Sequence, residues 1–526
     1  MENTPISLTT IVTFLPIVGL VILLFIKRED AIRWVTLGTT VATFLASLVM
    51  LASFNAGEPG LQMETFYNWI PGFNITYHVG VDGISMLLVL LTTFIMPVAT
   101  LASFDGIKER TKLYYAMMLL METAMLGVFV AQDLFLFYIF WEFTLVPMYF
   151  LIGIWGSENR VYAAVKFFLY TMAGSILMLL AILWLGANGE SFNLPVLLGK
   201  LASGELAYPE GMEVLLFLGF FAAFAVKVPL WPFHSWLPDA HYEAPTAGSV
   251  ILAGVLLKLG TYGFVRFNLP LFPQASKDLA PLVATLAVIG IIYGAWVSYA
   301  QKDAKKLVAY SSVSHLGFVM LGIFALNAQG VQGGILQMVN HGISTGGLFL
   351  LVGMLYERRH SKLMADFGGI WKVMPLFGAL SLIIVLSSMG LPGLNGFVGE
   401  FTILLGAIGS QFLTISFTVF AAVGIILAAI YMLYMFQKVY MGPVTHAENE
   451  NLPPLNWKEV AVLVPLVMLI FWIGLYPAPF FGMMETSVNA ALTPFSAGAA
   501  DTATAGGVTL GGAGDVLALP ALDPGF

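Results

Sequence analysis

The chain has 526 residues and no cysteine. It can hold no disulfide, no cysteine-ligated iron–sulfur cluster and no thiol nucleophile. Charge is scarce as well. Asp, Glu, Lys and Arg make up 10% of the residues, where a soluble domain carries about 25%. There is no G-x-x-x-x-G-K-[ST] phosphate loop, and no G-x-G-x-x-G follows a strand-like run. The chain therefore shows no means of using a nucleotide. Its net charge of −8 says little about partners, because with so few charges position matters more than the sum.

What is present is apolar. Hydrophobic residues make up 59% of the sequence, and mean hydropathy is +0.89. A spanning helix needs about 20 mostly apolar residues, and about fourteen such segments can be marked. The fold class is an all-α polytopic membrane protein. The first segment, Thr4 to Ile26, is too long for a signal peptide and lacks a basic start and a cleavage site. A polar stretch, 54–83, carries the alternating run Phe73 to Val79, which reads as a short hairpin outside the membrane.

Two segments are interrupted. Span seven, about 213–235, holds Pro229 and Pro232. Span twelve, 372–408, is cut by Gly390-Leu391-Pro392-Gly393-Leu394-Asn395-Gly396. Proline removes a backbone donor and breaks the helical ladder. A broken helix in lipid is tolerated only where protein or a water-filled cavity satisfies the freed groups. The breaks lie five spans apart, and an odd offset reverses direction. Residues 112–268 and 279–440 then read as two inverted five-helix repeats with broken helices at matching positions, a pattern that points to a transport site. The expected organisation is one transmembrane domain over 1–483 and a Gly/Ala-rich outer-side tail over 484–526.

Basic residues set the orientation, because Lys and Arg stay on the cytoplasmic side. With the N-terminus outside, seventeen of the 22 basic residues fall on the inner side, among them Lys27, Arg28, Lys302, Arg358 and Arg359. Only Lys200, Arg266 and Lys277 fall on the outer side. Lys227 and Lys258 fall within the membrane. Both termini are expected on the periplasmic or equivalent side.

Those two lysines are the main functional lead. A charge at the centre of a bilayer costs about 2.5–3.5 kcal/mol on insertion scales. Lys227 stands just before a helix break, and two buried lysines with few local acids are hard to explain as structure. Glu142, in LFLFYIFWEFTLVPMYFL, lies roughly 14 Å along a helix from Asp133. It reads as a carboxylate partner that modulates Lys227, or as a salt bridge that pins helices. Glu400, just past the second break, reads as a proton site with access to one side, or as a cap for the second half-helix. His315 and His341 are packing residues or members of the same relay, since imidazole exchanges protons near neutral pH; haem ligation is the lesser alternative. Glu122 is a relay member or a hydrogen-bonded structural carboxyl. His234 and His241 flank Asp239 and line a proton intake or cap a loop. His78, His360 and His446 read as loop residues. The many Phe and Met residues read as packing and lipid contact, and no residue argues for a quinone pocket.

The stretches VKVPLWPFHSWLPDAHYEAPTAGSVILAGVLLKLGTYGFVRF, YSSVSHLGFVMLG and SSMGLPGLNGFVGEF resemble the antiporter-like membrane subunits of respiratory complex I and of the related multisubunit Na⁺/H⁺ antiporters. The likeness runs over about residues 80–445. It is closest to the M type: the ionisable group after the second break is Glu400, where the sibling types carry lysine; FYIFWEFTLVPMYFLIGIWG is M-like; and no long amphipathic helix follows the last span. The resemblance implies a proton-translocating subunit of an NADH:quinone oxidoreductase, with Glu142 and Lys227 as the modulating pair, Lys258 and His341 leading to Glu400 on the exit side, and His315 beside the path. It implies no cofactor in this chain; NADH, FMN, iron–sulfur clusters and quinone would belong to partner subunits. The implied partners are L-type and N-type siblings and small membrane subunits, in the cell inner membrane, with no nucleic acid. The alternative is a subunit of a multisubunit Na⁺/H⁺ antiporter. A purely structural scaffold is a third reading.

Overall fold

The computed structural model describes residues 4–496. Among them, twelve helices are long and apolar enough to cross a membrane. Helices α1 (Leu8–Phe25) and α2 (Glu29–Ala52) come first, then a hairpin of β1 (Gln62–Ile70) and β2 (Ile75–Val81). The strands pair antiparallel around a turn in which Asn74 takes the left-handed conformation at φ +55°, which Asn tolerates better than most residues. The hairpin expected from the alternating run is therefore present, with the longer first strand supplied by residues before that run.

Helices α3 (Gly83–Ala102), α4 (Thr111–Val130), α5 (Leu134–Phe143), α6 (Leu145–Trp155), α7 (Arg160–Gly189) and the short α8 (Leu194–Ser203) follow. Carboxylates start several of these elements. Asp82 and Asp133 accept backbone N–H groups at the first turns of α3 and α5, satisfying donors that a helix start leaves open.

Span seven is α9 (Met212–Lys227), an irregular turn through Pro229 and Pro232, and α10 (Trp236–Glu243). Span eight is continuous but not regular. Helix α11 (Thr246–Ile251), a π turn (Leu252–Leu256), α12 (Leu257–Gly263), a second π turn (Phe264–Asn268) and α13 (Leu269–Leu271) succeed one another. Next come α14 (Pro273–Ala300), α15 (Ala304–Ile323), α16 (Ala328–Arg359) and a short α17 (Ile370–Val373). Span twelve is α18 (Pro375–Ser388) and α19 (Asn395–Ile408). Gly390 and Gly393 make the turn between them at φ +78° and +91°, a region open to glycine and costly for a side chain. Helices α20 (Ile415–Tyr440), α21 (Trp457–Leu475) and α22 (Ala478–Ala491) complete the bundle. Both expected breaks are where the prolines and glycines place them. A third joint, at Thr144 between α5 and α6, was not expected.

Position in the bundle follows sequence. The apolar 18-residue centres of Thr246–Leu271 and of α16 are buried throughout, whereas only about a third of the corresponding centres of α1, α2 and α21 is buried. The two interior spans carry Lys258 and His341. The faces of the bundle differ too. One bears the hairpin, and the other bears most of the basic residues, among them Lys112, Arg358, Lys362 and Lys458.

The boundary expected at 483/484 falls inside α22. Met484, Val488 and Leu492 form an apolar stripe at four-residue spacing and are buried, and the helix packs on α3 and α16. The tail therefore does not begin at 484; residues 484–496 belong to the bundle. Residues 497–526 of the expected tail lie outside the described residues. His78 also departs from expectation. It is buried on β2 and bonded through Nε2 to Glu64 at 2.7 Å, not a loop residue.

Candidate functional site

The first half of the site forms at the Thr144 joint. Pro147 has no N–H with which to continue the ladder back to Phe143, so the helix is interrupted there. Thr144 donates its hydroxyl to the Trp141 carbonyl at 2.7 Å and accepts from Lys227 Nζ at 3.3 Å. The ammonium also sits 5.3 Å from the Trp141 ring and 5.5 Å from the Phe167 ring, within the range of cation–π attraction. Trp141 is itself fixed by Nε1 donating to Ser175 Oγ at 3.0 Å. Glu142 is half-buried. Its Oε1 has no hydrogen-bond partner, and among the described residues it makes no ion pair with Lys227. The two groups share a neighbourhood but do not touch.

The second half consists of two hydrogen-bonded pairs, Lys258 with His341 and His315 with Glu400. Lys258 Nζ donates to the carbonyl of Ala253 in the first π turn and meets His341 Nδ1 at 2.6 Å. The rings of His341 and His315 lie 6.0 Å apart. His315 Nδ1 meets Glu400 Oε1 at 2.7 Å, and the same oxygen accepts from Gln337 Nε2 at 3.0 Å. Tyr431 OH meets His315 Nε2 at 3.1 Å. All four titratable groups are no more than 4% exposed. His341 Nε2 and Glu400 Oε2 are buried without a protein partner, so each retains an open site for proton exchange.

Glu400 sits well inside α19 and does not cap it. The broken span is braced instead by Ser387 donating to Asn395 Oδ1 at 2.5 Å and by Asn340 donating to the Asn395 carbonyl at 2.7 Å.

Among the described residues, no hydrogen bond or ion pair joins Lys227 to Lys258. The six residues expected in the relay thus fall into two groups, Glu142 with Lys227 and Lys258 with His341, His315 and Glu400. Glu122 is fully buried and neither carboxyl oxygen has a partner. His241 stacks on Phe349 at 4.4 Å with both nitrogens unpartnered. His234 lies edge-on to Tyr293 at 5.1 Å, and Asp239 is bonded to Lys166 at 2.7 Å. Thr144, Gln337 and Tyr431 were missed by sequence reasoning. Pro147 could have betrayed the joint beside Thr144; nothing in the runs around Gln337 and Tyr431 marks those two.

Similarity to known proteins bears on this arrangement. Residues 131–426 match the family described as NADH:quinone oxidoreductase/Mrp antiporter, TM, and residues 11–131 match NADH-ubiquinone oxidoreductase chain 4, amino terminus. NADH-quinone oxidoreductase subunit M of Rhodobacter capsulatus is 43% identical over 495 residues, covering 92% of this chain and 96% of that protein. The chain belongs to the subunit M family of NADH-quinone oxidoreductases. In the structure of respiratory complex I from Thermus thermophilus with bound NADH, a chain of this family's fold superposes with a TM-score of 0.84 at 32% identity, covering 92% of this chain and 99% of that one. A chain of the Mrp complex from Dietzia sp. DQ12-45-1b superposes with a TM-score of 0.81 at 19% identity, covering 93% and 98%. That second likeness concerns the fold alone. Both family matches together span both breaks and all six expected relay residues.

Proposed function

We propose that this chain is a proton-translocating membrane-arm subunit of an NADH–quinone oxidoreductase, placed in the cell inner membrane with both termini on the outer side. It carries protons and leaves the redox chemistry to partners. NADH, FMN, iron–sulfur clusters and quinone are assigned to partner subunits, and sibling antiporter-like subunits are its neighbours in the membrane.

One observation carries this reading. Lys258, His341, His315 and Glu400 stand in series in the buried centres of two spans and on their neighbours, and each can take up and release a proton. Glu142 and Lys227 supply the control. With Glu142 drawn toward it, the Lys227 ammonium gains a counter-charge and holds its proton. With Glu142 withdrawn, only Thr144 and two aromatic rings hold the charge, and the proton is released toward Lys258. Quinone reduction in partner subunits drives that displacement. The inverted repeats over 112–268 and 279–440 provide the two halves that exchange the proton.

The test is the proton-to-electron ratio of the complete complex carrying Lys227→Ala or Glu142→Ala. Assembly with electron transfer but little pumping is expected; a normal ratio in both variants would refute the relay. The likeness in fold to the Mrp complex supports a second reading, a Na⁺/H⁺ antiporter subunit. Co-purification with small antiporter subunits in place of redox subunits, and sodium-dependent transport without quinone, would favour it.

A further inference from the structure

Span eight has two ends, and only one leads into the relay. Lys258, Tyr262 and Arg266 recur every four residues and stand on one side of the span. They cover about 12 Å from the bilayer centre toward the hairpin face. Tyr262 is fully buried. Its hydroxyl donates to the Phe129 carbonyl at 2.8 Å and accepts from Arg266 Nε at 3.0 Å. The guanidinium lies 5.3 Å from the Tyr262 ring and donates through Nη2 to Asp82 Oδ1 at 2.6 Å. That carboxylate oxygen also accepts from the backbone of Ile84 and Ser85 and from Ser85 Oγ. Burial works to raise the Asp82 carboxyl, but the Arg266 guanidinium and Ser85 hold it below its ordinary value.

Stability alone does not explain this cluster. A buried ion pair is often no better than well-packed apolar residues of the same volume, because desolvation offsets the attraction. The chemistry of the pair is more telling. Guanidinium has five donors, no acceptor, and does not give up its proton in a protein. A proton that reaches Tyr262 meets a fixed positive charge that can neither receive it nor pass on one of its own. Fixed arginine charges exclude protons and cations from pores in the same way. The other route from Lys258 runs through imidazoles and a carboxyl, all of which exchange protons.

We propose that the Arg266–Asp82 pair, closed over Tyr262, is a proton barrier at the hairpin-face end of the span that carries Lys258, so that a proton on Lys258 leaves only through His341 toward Glu400. The inference rests on the relay reading above. Arg266 and Asp82 are positioning residues that set direction; neither passes the proton.

The whole complex, reconstituted in liposomes containing a pH-sensitive dye, is given a potassium diffusion potential without NADH. Arg266→Gln should raise passive proton conductance by about tenfold, the equivalent of lowering one barrier by about 1.4 kcal/mol. Adding Lys258→Ala should return conductance to the wild-type level, because the leak runs through that amine. Arg266→Lys keeps the charge and the pair with Asp82 but installs a group that can release a proton. It should leak to a smaller extent, and it decides the matter if Arg266→Gln fails to assemble. Wild-type conductance in the Arg266 variants that assemble would overturn the proposal, as would a leak that survives Lys258→Ala. The relay itself is read separately. If Lys258→Ala alone pumps normally, the relay has failed; if it abolishes pumping while the Arg266 variants stay tight, only the barrier has.

Discussion

The two halves of the site hold their charges in opposite ways. Around Glu142 and Lys227 the groups are neighbours without contact: the amine rests on a threonine hydroxyl and two aromatic faces, and one carboxyl oxygen is idle. Lys258 is bonded to His341, and His315 to Glu400, Gln337 bonding the same carboxyl oxygen and Tyr431 the imidazole, while His341 Nε2 and Glu400 Oε2 stay open. A lysine held by one hydroxyl and two rings can change partners at little cost, whereas groups held in direct hydrogen-bonded pairs resist rearrangement. On the relay proposed above, switching belongs to the first half and conduction to the second.

Breaking the second half should have the largest effect. Lys258→Ala or Glu400→Gln removes a proton-exchanging group from the series, and dye-quench pumping in vesicles should fall by about 10²-fold, in line with the loss of a general acid–base group. Residual pumping near wild type would mean that the bonded pairs are not the conductor. In the first half, Thr144→Val takes away the acceptor that Lys227 rests on. A buried donor left unpaired costs about 1–3 kcal/mol, so the thermal midpoint of the purified complex should drop, while Thr144→Ser should restore it. An unchanged midpoint in Thr144→Val would show that the aromatic faces suffice.

Tyr431→Phe is a milder probe of the bonded half. It deletes one hydrogen bond to His315, worth about 0.5–1.5 kcal/mol, and should slow pumping severalfold without stopping it; abolition would promote Tyr431 to a member of the relay. The smallest effect concerns the closed end of span eight. The folded-state value of Asp82 is depressed, so its stabilising contribution is present above the unfolded value and lost as pH falls through the folded one. The contribution of this residue should stay level between about pH 5 and 8 and decline only in stronger acid. Comparing Asp82→Asn with wild type across that range would expose any loss near neutrality, which would contradict the assignment.

Much of this was legible before the structure. Lysine, glutamate and histidine inside apolar runs carry a large solvation cost, so Lys227, Lys258, Glu142, His341 and Glu400 stand out wherever they fold. Proline and glycine announce the breaks by backbone chemistry alone. Neutral polar residues give no such signal. Thr144, Gln337 and Tyr431 cost little in an isolated helix, and their roles depend on partners 83, 63 and 116 residues away. The separation of Lys227 from Glu142 was equally hidden, because composition reports that two charges are buried but not how far apart the helices hold them. The end of the bundle was misjudged for a simpler reason: Thr, Ser and Asn around 486–489 look solvated until the Met484–Val488–Leu492 stripe is laid against α3.

That last helix has a consequence for how the protein is made. The first residue of α3, Gly83, donates its N–H to Ser487 Oγ at 2.9 Å, across 404 positions of chain, and a Cβ on it would come within 2.1 Å of the Met483 carbonyl. The packing around the leading end of the third span is therefore complete only once residues 483–487 are in place. The last helix acts as a keystone, and a nascent chain stopped at Pro477 should leave the segment around 54–82 open to protease on the hairpin side.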